Sequence, residues 1–134
     1  MSDGEESYEW LAQLEEQLRE IFPNCPFSID FLKHIDELDE VFSDESVVFI
    51  YDNRISKHNY YYSNLSDDEL AELKNYTIVK AKNNEPITYR QVIQAMIDDP
   101  HYHDDIVASD DHRFLEGFDK STNSDIQFYT SFGS

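Results

Sequence analysis

Apolar residues in the first third of the chain recur at a helical period. Between Ser7 and Phe22, the positions Leu11, Leu14, Leu18, Ile21 and Phe22 return every three or four residues, and Glu9, Glu15, Glu16, Gln17 and Glu20 fill the places between them. That spacing sets an apolar stripe against a charged one, so the segment predicts an amphipathic helix. Pro23 stops it, residues 24–26 make a tight connection, and Ser28 is placed to cap a second helix with the stripe Phe31, Leu32, Ile35, Leu38 and Phe42. Two such helices joined by so short a loop predict an antiparallel helical hairpin, its stripes turned to a common core and its carboxylates to water.

After residue 45 the period changes. Val47 to Tyr51 reads as a buried strand, 52–57 as a turn and Asn59 to Ser63 as the returning strand. Ser66 and Glu69 have the spacing of a capping box, which opens a short helix over Leu70 and Leu73 that ends at Asn75. Tyr76 to Ala81 is a third strand and 83–86 is turn chemistry. Thr88 and Gln91 repeat the capping spacing, predicting a helix to about Asp98, ahead of Pro100. Arg113 to Phe118 and Ile126 to Phe132 form a closing hairpin, in which Gly117 marks a bulge or a close approach. With no repeat and no biased linker, residues 1–134 read as a single domain, with 1–6 flexible. The class expected is α+β, an N-terminal helical hairpin packed with a mainly antiparallel sheet of about five strands and two further short helices.

Composition supports folding and narrows function. In 134 residues, 40% are hydrophobic, with nine Tyr and nine Phe, enough apolar area for a core. The run Val47–Tyr51 is far too short to cross a bilayer, and the acidic residues Asp3, Glu5 and Glu6 do not resemble a secretory or transit segment, so an intracellular, cytoplasmic protein is expected, in the host cytoplasm or nucleus if viral. The motifs Asn64-Leu65-Ser66 and Asn75-Tyr76-Thr77 are then chance matches to the glycosylation pattern. Cys25, the one cysteine, reads as a small buried hydrophobe.

The net charge of −19 is the extreme feature, and fourteen of the 29 acids stand against two bases in residues 1–45. A field of that sign repels nucleic acid and anionic lipid and attracts basic proteins. The acidic helical pair, through Glu9, Glu15, Glu16, Glu20, Asp36, Glu37, Asp39 and Glu40, therefore points to partner binding, against the plainer reading that such residues only solvate an exposed surface. Trp10 and the tyrosines are available as aromatic anchors, although core packing also accounts for them. Lys74, Lys80, Lys82 and Arg90 form a basic island expected to pair with the acidic helices of the same molecule, or of a second copy.

Candidate chemistry is thin. No GxSxG, P-loop, GxGxxG, HExxH or CxxC pattern occurs, so no enzyme is expected and no cofactor is implied. His101, His103, Asp111 and His112 offer nitrogen and oxygen ligands for zinc, iron or manganese, but at no established spacing. The expected function is that of a non-enzymatic acidic binding protein, an inhibitor or antagonist of nucleic-acid-mimic type directed at a basic nucleic-acid-binding protein or nuclease. The alternatives are a small metal-binding protein or metal-dependent enzyme using the His101/His103/His112 segment, and a structural component of a virus or large complex that makes contact through its aromatic strands.

Overall fold

Helix α1 (Asp3–Ile21) opens the structure, a computed structural model that describes residues 3–54, 63–72, 75–103 and 113–133. The helix follows the predicted stripe: Leu14, Leu18 and, just past its end, Phe22 are buried, while Glu9, Glu15, Glu16 and Glu20 face water. It starts at Asp3, ahead of the predicted Ser7, and Phe22 N–H closes its last turn on Leu18 O at 2.8 Å.

The second helix of the expected hairpin does not form. Residues 28–43 run instead as strand β1 (Ser28–Ile29), a 3-10 helix (Ile35–Asp39) and strand β2 (Val41–Ser43). The apolar residues that suggested a helix still point inward: Leu32 and Leu38 are buried, and Phe31, Ile35 and Phe42 pack against the core. Two competing interactions decide the backbone. Ser28 and Asp30 donate their N–H groups to Arg113 O and Leu115 O, both at 2.8 Å, which covers a sheet edge that a helix would leave open. The Glu37 carboxylate accepts the N–H groups of Lys33 and His34 at 3.2 and 3.1 Å, closing a turn where a longer helix was predicted.

The remaining elements are β3 (Val47–Tyr51), α2 (Asp67–Glu72), β4 (Tyr76–Lys80), β5 (Ile87–Thr88), α3 (Tyr89–Asp98), a 3-10 turn (Pro100–His103), β6 (Phe114–Lys120) and β7 (Gln127–Gly133). The main sheet has five strands in the order β1-β6-β7-β3-β4, and β2 with β5 makes a separate ribbon. Pairs β6–β7 and β3–β4 are antiparallel, but β1–β6 and β3–β7 are parallel, so the sheet is mixed where a mainly antiparallel one was expected. The α+β class holds. The return strand predicted at 59–63 falls largely on residues outside those described, and the described antiparallel neighbour of β3 is β4.

Both capping boxes form as predicted. Ser66 and Glu69 exchange bonds at 3.1 and 3.2 Å at the start of α2, and Thr88 and Gln91 exchange bonds at 2.9 and 3.3 Å at the start of α3. The closing hairpin also forms, with a register slip between Leu115 and Gly117, whose φ of +152° is a glycine conformation. Val48, Ile50, Val79, Leu115 and Phe128 turn to one side of the sheet and meet Val92, Ile93, Met96 and Ile97 of α3, with Leu14 and Leu18 of α1 in the same cluster. Strand alternation sends Phe49, Tyr51, Tyr76, Ile78 and Tyr129 to the other side. Among the described residues no helix is long and apolar enough to cross a membrane.

Candidate functional site

The helical period of α1 places Glu9, Glu16 and Glu20 within a sector of about 40°, opposite Leu14 and Leu18 and about 6 to 10 Å apart along the axis. All three are exposed and have no ion pair among the described residues. Glu15 lies to one side, with Arg19 at 3.9 Å, an exposed pair of little energetic weight. The second acidic group sits on the 3-10 helix. Glu37 is spent on closing that turn, and Asp39 takes Arg90 Nε at 3.0 Å and a terminal nitrogen at 3.3 Å. The hydrogen bond from Arg90 holds the Asp39 carboxyl below its usual pKa. Asp36 and Glu40 are exposed and without an ion pair among the described residues.

Between α1 and the 3-10 segment runs a groove of about 470 Å³, with Trp10, Gln13, Leu14 and Gln17 on the α1 side and Lys33, His34, Ile35 and Asp36 on the other, so that of these acids Asp36 alone lines it. Trp10, 45% exposed, stands in that groove instead of the core. Of the eight acids, three, Glu15, Glu37 and Asp39, are committed to local partners.

Of the histidine segment, His101 and His103 are among the described residues. His103 points its Nε2 at Ile97 O, 2.7 Å away, and His101 turns inward, with Nε2 3.3 Å from Asp52 Oδ2 and Nδ1 3.3 Å from Asp99 Oδ1. Asp111 and His112 lie outside the described residues, among which no cluster of three or more His, Cys, Asp or Glu side chains is placed to hold a metal ion. In the buried network around His101, the cation is Arg54. It bonds both Asp52 oxygens, at 3.0 and 2.8 Å, and its guanidinium carbon lies 3.7 Å from the centre of the Phe132 ring. Burial pushes the Asp52 pKa up, but the hydrogen bonds from His101 and Arg54 and the Arg54 charge outweigh it and hold the carboxyl low. Thr77 donates to Asp99 Oδ2 at 2.7 Å, so the network ties the end of β3 to β4 and to the turn after α3. No local pattern announced it: Asp52, Arg54, Thr77 and Asp99 meet only through the fold.

The basic island is partly as expected. Arg90 pairs within the molecule, and with Lys80, Lys82, Gln91 and Gln94 it lines a cleft of about 520 Å³ beside the end of α1; Lys74 lies outside the described residues. Cys25 is half-buried and donates to Phe27 O at 3.0 Å, and burial pushes its thiol pKa up to about 11, which suits packing and not nucleophilic attack.

The outer face of β7-β3-β4 was hidden in the sequence because Val47–Tyr51 is apolar on both alternating sides. The Tyr129 and Tyr51 rings stack at 5.5 Å and 29°, and Tyr76 follows at 5.7 Å from Tyr51. Ile78 and Tyr129 keep 45% and 40% of their surfaces open. No family model, no curated protein and no solved structure matches the chain.

Proposed function

We propose that this chain is a non-enzymatic binding protein that engages a basic, nucleic-acid-handling protein through its acidic side and acts as its antagonist. The observation supporting this reading is that five carboxylates, Glu9, Glu16 and Glu20 on α1, Asp36 in the groove and Glu40 beyond it, are exposed without ion pairs among the described residues. Unpaired, solvated charges on a chain of net charge −19 create a long-range field that accelerates encounter with a cationic surface and rejects anionic ones. The resemblance to a phosphate backbone lies in a line of charges along α1, since a second helix is not there to double it. Trp10 in the same groove offers the aromatic anchor that protein interfaces favour.

The test is capture from native lysate at low salt with elution by a salt gradient, repeated with Glu9, Glu16, Glu20, Asp36 and Glu40 changed to Lys. A basic partner eluting at modest salt and lost with the charge-reversed variant supports the proposal. Capture that survives both high salt and charge reversal rejects it.

A further inference from the structure

We infer that the outer face of β7-β3-β4 is where arginine side chains of the basic partner seat, on the row Tyr129, Tyr51, Tyr76. This inference rests on the reading that the partner is basic, and adds to the α1 side a second contact across the sheet and the type of cation it takes.

The three rings sit on neighbouring strands, Tyr51 opposite both Tyr76 and Tyr129 in the sheet register, so their spacing is fixed by backbone pairing. Behind them, Asn53 N–H and the Thr130 hydroxyl bond at 3.3 Å and Asp52 N–H donates to Asn75 O at 2.7 Å, which holds the strand ends that carry the row. A preformed aromatic row binds without the ordering cost that mobile side chains would add.

Charge selects the occupant. The row and its neighbours Phe49, Ile78 and Gln127 are uncharged, yet each strand enters the face from an acidic segment: β3 after Asp44 and Glu45, β4 after α2 with Asp67, Asp68 and Glu72, and β7 after Asp125. Because β3 and β7 are parallel and β4 runs opposite to β3, these acids lie beyond the strand ends, on either side of the row, while Asp119, exposed on β6 and in register with Tyr129, stands at one end of it. Lys120 pairs with Asp125 at 3.0 Å and Lys80 adjoins Val47, at the edge of the face away from Tyr76. A stacked aromatic row with a carboxylate at its Tyr129 end suits a flat, weakly hydrated cation laid against an end ring, which is arginine more than lysine. The fold already contains the same contact, Arg54 over Phe132. A stacked nucleic-acid strand or a second copy would instead bring like charge onto a chain of net charge −19.

The experiment titrates the full chain at low salt with oligoarginine and oligolysine peptides of equal length, alongside a single-stranded oligonucleotide, and follows self-association by sedimentation. The wild type is expected to prefer oligoarginine. Tyr76→Leu with Tyr129→Leu, which keeps apolar bulk and removes the π faces, is expected to abolish that preference and weaken oligoarginine about 4- to 25-fold, from about 2- to 5-fold per ring. Glu9→Gln with Glu16→Gln and Glu20→Gln should weaken both peptides equally and keep the preference. Ile78→Lys, at an exposed position beside the row, tests the same face without touching a ring and should also weaken oligoarginine. A preference that persists in the double tyrosine variant and in Ile78→Lys overturns the inference and leaves the basic-partner reading intact. Failure of the wild type to bind either peptide overturns both. Oligonucleotide binding, or a dimer that the tyrosine variant abolishes, assigns the face to another occupant and overturns the inference alone.

Discussion

Asp52 and Arg54 close on each other inside the protein: Arg54 Nε and a terminal nitrogen reach the two carboxylate oxygens at 3.0 and 2.8 Å, with side-chain exposures of 6% for Arg54 and 0% for Asp52. A buried pair adds little net stability over an apolar one, but removing one partner takes a counter-charge from the other inside the protein. Asp52→Asn is therefore expected to cost about 3 to 5 kcal/mol, read by urea denaturation. The sign with pH follows from the lowered pKa. The contribution of Asp52 is complete above the ordinary carboxylate value of about 4 and is lost as pH falls through the lower folded value. The stability gap between wild type and Asp52→Asn should stay constant from neutral pH down to about 5 and narrow below about 4. A gap independent of pH across that acid range counts against the assignment.

Tyr102 tells the opposite story. Its hydroxyl is buried beside the Thr77 hydroxyl without a well-formed hydrogen bond among the described residues, since Thr77 gives its own proton to Asp99. Burial, reinforced by the Asp52 charge, raises its pKa well above the ordinary phenol value. Tyr102→Phe deletes an unsatisfied polar atom and keeps the ring contacts with Phe27 and His101. The expected result is unchanged stability or a gain of about 1 kcal/mol by thermal denaturation, and a clear loss would mean that the hydroxyl has a partner in solution.

Gly117 isolates backbone strain from sterics. An added Cβ would meet nothing within 4 Å, yet the φ of +152° disfavours any L side chain. Gly117→Ala should destabilise by about 1 to 3 kcal/mol in chemical denaturation. A near-zero effect would indicate that the bulge relaxes into another conformation.

Cys25 should be slow to alkylate. With its pKa near 11, the thiolate fraction at neutral pH falls about a hundredfold below that of an unburied thiol. Iodoacetamide labelling of the native protein should lag the urea-unfolded chain by about that factor, and equal rates would show the site to be open.

Legibility divided along the range of the deciding interaction. The starts of α2 and α3 were readable because Ser66 with Glu69 and Thr88 with Gln91 act across one helical turn. The Gly117 bulge was readable from a glycine inside a β-like run. The helix expected from Ser28 failed because its inward spacing at Leu32, Ile35, Leu38 and Phe42 also suits a chain laid over a core. The tie was broken by the distant edge of β6, where Ser28 meets Phe114. The acids of α1 were readable as exposed, but the capture of Asp39 by Arg90 and of His101 between Asp52 and Asp99 needed the fold.

The strand order has a consequence for biosynthesis. β7 follows the other described strands in sequence yet sits between β6 and β3, so β3–β4 and β1–β6 stay unjoined until Gln127–Gly133 arrives. A nascent chain paused before Gln127 would hold two half-sheets with raw inner edges, inviting chaperone capture, and closing them across so long a span of chain sets a slow final step.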